Sequence, residues 1–177
     1  FIQVQAPDII KETTVMQLKE TGAFVVNWSG DVREPIEKFY YLLGKHIDCT
    51  LFSNMTDVRK LRKDGIKADY LEIGINENIY CDKGPITQIE PIVFFGNNYK
   101  HGYFPLSTFR IQMVDYLKDK YGNAFGVYGN GFEPYCSGNF SHSQPAEAAA
   151  YRGSIIAINV SHFEYERYSS DRLLRIL

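Results

Sequence analysis

Ala23-Phe-Val-Val-Asn-Trp28 is continuous, apolar and β-branched, the composition of a strand buried on both faces as in parallel sheets. It runs into Ser29-Gly-Asp-Val-Arg33, a turn-rich loop of the kind that leaves the carboxyl end of such a strand. On its N-terminal side, Phe1-Ile-Gln-Val-Gln5 reads as an opening strand. Asp8 is placed to cap a helix reaching about Gly22, with Ile9, Ile10, Val15, Met16 and Leu18 as its apolar stripe. On its C-terminal side a helix is predicted from about Glu34 to Gly44, with Pro35 in the first turn. A short strand over Asp48–Phe52 comes next, then a helix over Met55–Asp64, capped by Ser53 or Asn54 and closed by Gly65, and a strand over Ala68–Ile73. Strands alternating with helices in this rhythm imply a parallel sheet covered by helices.

The rhythm breaks at Asn76–Glu90, which is polar, holds Gly84 and Pro85, and lacks apolar periodicity. Residues 79–90 therefore read as a linker between a domain over 1–78 and a second over 91–177. In the second, Pro91-Ile-Val-Phe-Phe95 is a strand and Gly96–Gly102 a glycine- and asparagine-rich loop. Thr108–Tyr121 is a helix ended by Gly122-Asn123, and Phe125–Tyr128 a strand before Gly129-Asn-Gly131. Pro145–Gly153 is a helix, Ser154–Asn159 a strand, and a last helix starts at Ser169. The expected fold is α/β, with two Rossmann-like parallel-sheet units. Both are expected to be incomplete, because the chain opens without Met inside a strand pattern and stops at Asp171–Leu177 inside a helical one.

The 177 residues are 45% hydrophobic and 23% charged, a globular composition that argues against wholesale disorder. A net charge of −2 supplies no basic excess to displace counterions, which argues against a nucleic-acid partner. Cys49, Cys81 and Cys136 lack C-x-x-C spacing and read as reduced thiols of a cytoplasmic protein. In that compartment the sequons at Asn27, Asn54, Asn139 and Asn159 carry no glycan. No apolar run approaches the length of a membrane span.

Ligands of open α/β sheets bind beyond the carboxyl ends of the strands, where loops enter helices. The loops after residues 28, 95, 128 and 160 are the candidates. Gly96 admits a ligand close to the backbone, and Ser169 or Ser170 is placed to cap the last helix where a phosphate is held. Arg172 opposes the helix dipole there, a placement that a bound anion would relieve; an Asp171–Arg175 surface pair is the competing reading of the segment. Asp31 is the carboxylate on a cleft-facing loop that suits a general base or an acceptor-hydroxyl ligand, although a Gly-Asp turn also explains it. His46, His101, His142 and His162 show no metal-ligand spacing, and no metal or organic cofactor is expected. Ser141-His142-Ser143 lacks a nucleophile elbow. Glu147, in Glu-Ala-Ala-Ala, reads as a solvated helix face.

Ser154-Ile-Ile-Ala-Ile-Asn-Val-Ser161, a spacer, and Tyr168-Ser-Ser-Asp-Arg-Leu-Leu-Arg-Ile-Leu177 resemble the C-terminal domain of GT-B glycosyltransferases, closest to the spore-protein CgeB-like and family-4-like enzymes. Ser53-Asn54, Leu61-Arg62, Gly65 and Tyr70–Asn76 resemble the end of their first domain, and Pro91–Asn98 the opening of the second. The resemblance implies that Gly96, Asn97, Asn98, Ser169, Ser170 and Arg172 face the diphosphate of a nucleotide-sugar donor, with Gly129 near the base. It departs from the family where relatives carry a ribose-binding Glu: here Leu174 and Arg175 stand. The expectation is a glycosyltransferase acting on a glycan, protein or small-molecule acceptor. The alternatives are a non-catalytic nucleotide-binding or assembly module of the same fold, and a DNA-modifying glycosyltransferase.

Overall fold

Parallel pairing builds two small sheets, and the computed structural model describes residues 2, 4–99, 104–140 and 142–177. In chain order the elements are α1 (Glu12–Glu20), β1 (Val26–Ser29), α2 (Lys38–Gly44), β2 (Cys49–Phe52), α3 (Met55–Lys63), β3 (Ala68–Tyr70), β4 (Ile92–Phe95), α4 (Ser107–Tyr121), β5 (Phe125–Tyr128), β6 (Cys136–Gly138), α5 (Gln144–Gly153), β7 (Ile156–Ile158) and α6 (Asp171–Ile176). The fold is α/β, with one three-stranded sheet in the order β1-β2-β3 and one four-stranded sheet in the order β6-β5-β4-β7. Every strand pair in both is parallel.

The first unit comprises residues 1–73 and 163–169. One apolar cluster holds it, with Val15, Phe39, Leu43, Phe52, Val58 and Leu61 at its centre. Among its described residues, the opening segment meets the sheet through a parallel bridge, Ile2 to Asn27, beside a hydrogen bond from the Val4 amide to Asn27 Oδ1. Phe1 and Gln3 of the expected opening strand lie outside the described residues. α1 begins later than the reading from Asp8, which takes a left-handed φ of 64° and caps nothing; Lys11 stands at the N-cap. α2 also begins later, at Lys38, so Pro35 lies in the bend that precedes the helix rather than in its first turn, and Val32 and Ile36 of that approach are buried. α3 starts as read. Asn54 accepts from the Asp57 amide at 2.7 Å, and Gly65 follows the helix at a φ of 79°.

The second unit comprises residues 74–162 and 170–177. β4 is buried on both faces. Phe94 packs with Val114, Phe125 and Val127 in one cluster, while Val93 and Phe95 pack with Tyr128 and Ala150 in another. The boundaries differ from those expected at 78 and 91, because residues 79–90 pack onto the second unit. Arg152 donates to the carbonyls of Ile79, Cys81 and Pro85, and the Thr87 amide donates to the Ala149 carbonyl. This polar stretch is satisfied by an arginine rather than by a sheet, hence its lack of periodicity. Residues 163–169 belong with the first unit: the Met55 amide donates to the Glu166 carbonyl, and the Glu166 amide to Thr56 Oγ1. Among the described residues no helix is long and apolar enough to cross a membrane.

Candidate functional site

The order β6-β5-β4-β7 places the chain's reversal between β4 and β7, since α4 leads from β4 to one neighbour and α5 crosses to the other edge. Loops leaving adjacent strands in opposite directions open a crevice at the carboxyl ends, which is where α/β sheets bind ligands. A cleft of about 230 Å³ lies in this unit over the carboxyl ends of β4 and β5, floored by Phe95 with Gly96 and Asn97 just after it, and by Tyr128 with Gly129 just after it. Phe140 and Asn139 follow β6, Gln144 and Glu147 come from α5, and Arg172 and Arg175 come from α6.

Hydrogen bonds and burial hold the floor in one shape. Gly96 donates its amide to the Tyr128 carbonyl, Asn98 to that of Asn130, and Gly129 to that of Gly138. Asn97 Oδ1 accepts from the Asn130 amide at 2.9 Å. The backbone amides of Gly96, Asn98 and Gly129 are therefore committed to protein carbonyls. Gly129, at a φ of 139°, passes so close that a Cβ on it would lie 2.1 Å from the Gly96 carbonyl oxygen. Beneath the loop Arg110 is 1% exposed, its guanidinium over the Phe94 ring and donating to the carbonyls of Asn97 and Val160. It ties the loop after β4 to the strand end after β7 from below. Arginine on the buried side of a helix, beside Ser107 and Val114, is not a pattern that reads as a site, and the sequence alone does not single it out.

His162 continues that tie. Its Nε2 faces the Asn97 carbonyl at 3.1 Å, so Nε2 carries the proton and Nδ1, buried and without a partner among the described residues, is the bare nitrogen. Burial, then Arg110 and Arg172, push its pKa down to about 4, which keeps the ring neutral. Asn98 is 5% exposed, and neither atom of its side-chain amide has a partner among the described residues. His101 and Gly102 lie outside the described residues.

At the open side, the helix start differs from expectation. Ser170 occupies the N-cap of α6 but makes no side-chain cap. Its hydroxyl donates to Asn159 Oδ1 at 2.8 Å and its amide to Ser161 Oγ. Ser169 belongs to the first unit. Arg172 lines the cleft half-buried, with no ion pair or hydrogen bond among the described residues. The competing Asp171–Arg175 pair also forms, so the segment holds both: Arg175 is neutralised by Asp171 and by Glu147, and Arg172 is left for the cleft.

Glu147 overturns its reading as a solvated face. It is 7% exposed, and its Oε2 accepts from the Tyr80 hydroxyl at 2.9 Å and from Arg175 at 2.7 Å. Its partners lie 67 and 28 positions away, so no local pattern announces it. The rings of Phe95, Tyr128 and Phe140 lie within 5.0–5.8 Å of one another, and Phe140, the least buried of the three, lines the cleft.

Asp31 lies in the first unit on the loop after β1. Its carboxylate pairs with Arg33 at 3.2 Å, and its carbonyl accepts from the Ser29 hydroxyl. His46 pairs with Glu12. Among the described residues no three His, Cys, Asp or Glu side chains converge in a metal-binding group, and the three cysteines are free. No protein-family model, no curated protein and no solved structure matches this chain.

Proposed function

We propose that the chain is the nucleotide-sugar-handling part of a GT-B-type glycosyltransferase, with the donor held in the cleft of the second unit. One observation carries the reading: a half-buried guanidinium, Arg172, lines a crevice at the carboxyl ends of a parallel sheet and has no carboxylate to neutralise it among the described residues. A cation so placed is stabilised by an anionic ligand, and arginine's planar fork suits the oxygens of a diphosphate. With the amides of Gly96, Asn98 and Gly129 already bonded, the diphosphate is bound by Arg172 and by the side-chain amide of Gln144 rather than by a ring of backbone donors. Phe140 offers the base an aromatic ring. A leaving diphosphate stabilised by fixed positive charge needs no resident metal. In this scheme Asp31, kept beside Arg33, binds or deprotonates the acceptor hydroxyl.

Calorimetric titration with UDP and with GDP, on the native chain and on Arg172→Ala, tests the reading. Saturable binding of one nucleotide, weakened about tenfold or more by the substitution, is the expected result. Binding of neither nucleotide by folded protein, or binding indifferent to the substitution, overturns it.

A further inference from the structure

A shallow, open depression in the first unit is lined by Tyr70, Glu72, Tyr165, Arg167, Tyr168 and Ser169. We propose that this cup binds the ring of a neutral carbohydrate. Its position follows from the fold. Tyr70 is the last residue of β3, so the cup opens at the carboxyl end of the sheet, and its other wall is the segment 163–169.

That segment is built rather than draped. Glu166 is fastened by three of its groups: the carbonyl accepts from the Met55 amide, the amide donates to Thr56 Oγ1, and the carboxylate pairs with Arg59. Phe163 is buried, and the rings of Tyr165 and Tyr168 lie 5.3 and 6.1 Å from it. The residue that follows these anchors, Arg167, takes a φ of 54°, a left-handed conformation that a long side chain adopts at a cost. A turn alone would be served better by glycine or asparagine. What the strained position achieves is to set the guanidinium 4.2 Å above the Tyr70 ring, while the Tyr70 hydroxyl donates to Glu72. Non-glycine residues held in such conformations concentrate at ligand sites.

The chemistry of the wall selects the ligand. Tyrosine rings present apolar faces with polar tips, which match a sugar's C–H face and hydroxyl rim. Glu72 accepts from hydroxyls and Arg167 donates to them. The two opposite charges disfavour a phosphate, which Glu72 repels, and a purely apolar ligand, which leaves both ions unsatisfied. A neutral polyol uses both. Because every wall residue lies in the first unit, the inference stands apart from the nucleotide reading of the second.

Saturation-transfer NMR on the full chain with maltotriose, cellotriose and chitotriose as probes tests it, alongside Tyr70→Ala and Arg167→Gly. The expected result is transfer to the ring protons of at least one trisaccharide, with affinity reduced about tenfold in each variant. Arg167→Gly is expected to fold at least as stably as the native chain, because glycine takes the left-handed backbone without strain, so a lost signal there reports the guanidinium. Absence of transfer to all three probes overturns the inference. So does transfer that neither variant alters, or displacement of the sugar by inorganic phosphate. The UDP and GDP titration reads the other unit, so either result can fail alone.

Discussion

Asn54 shows how one side chain can do the work of a helix start and a charge partner together. Its Oδ1 accepts the Asp57 amide at 2.7 Å, and its Nδ2 donates to the Asp57 carboxylate at 3.1 Å. Both residues are buried, and burial pushes the Asp57 pKa up against the opposing pull of Asn54 and Lys60. Asn54→Ala removes the cap and strips a buried carboxylate of a donor. The expected loss is about 2 kcal/mol or more, read as a lower urea midpoint at unchanged slope. Asn54→Ser restores the cap but not the second bond, and is expected to fall between the two. The capping role is legible in the sequence because it is local, spanning three residues. The burial of Asp57 is not, because it depends on how α3 lies against the rest of its unit.

At the scale of elements, the loop pair after β4 and β5 is the part of the candidate site most sensitive to volume. Gly129→Ala would drive a Cβ into the Gly96 carbonyl and impose a φ of 139° on alanine. A loss of about 2–4 kcal/mol is expected, together with loss of nucleotide binding even where folding is preserved at low temperature. Differential scanning calorimetry and the same titration measure the two effects separately. Elements of this kind divide into those that announce themselves and those that do not. β4 is legible because Val93, Phe94 and Phe95 are buried on both faces, which forces an unbroken apolar run. β6, Cys136–Gly138, carries no such run: it is largely exposed and exists because β5 offers it a parallel edge. The cleft follows the same division. Gly96 and Arg172 stand at positions that the strand-loop-helix grammar marks, whereas Glu147, Arg110 and Phe140 acquire their places from partners distant in the chain.

For the whole molecule, acid should act unequally on the two units, and the sign follows from the groups each one buries. His162, in the second unit, has its folded pKa pushed from 6.5 down to about 4, while the unfolded chain protonates near 6.5. Between those values the unfolded state binds more protons, so stability falls as pH falls, by up to about 2 kcal/mol near pH 5. Asp57, in the first unit, has a raised folded pKa, so acidification through that value protonates the folded state first and adds stability. Asp48 and Glu90 have lowered pKa values, and their contributions are lost only below about 3.8 and 4.5, outside the range from pH 7 to pH 5. Hydrogen exchange at pH 7 and pH 5, corrected for intrinsic rates, is therefore expected to show the second unit opening first, with protection lost around Asn97 and Val160 ahead of β1 and β2. His162→Gln keeps a donor toward the Asn97 carbonyl and removes the titration, so it should flatten the second unit's response while the first unit's stays as it was. Equal opening of both units in the native chain would show that the ring takes up its proton in the folded state as in the unfolded one, and an acid response that survives His162→Gln would show that other groups of the second unit carry it.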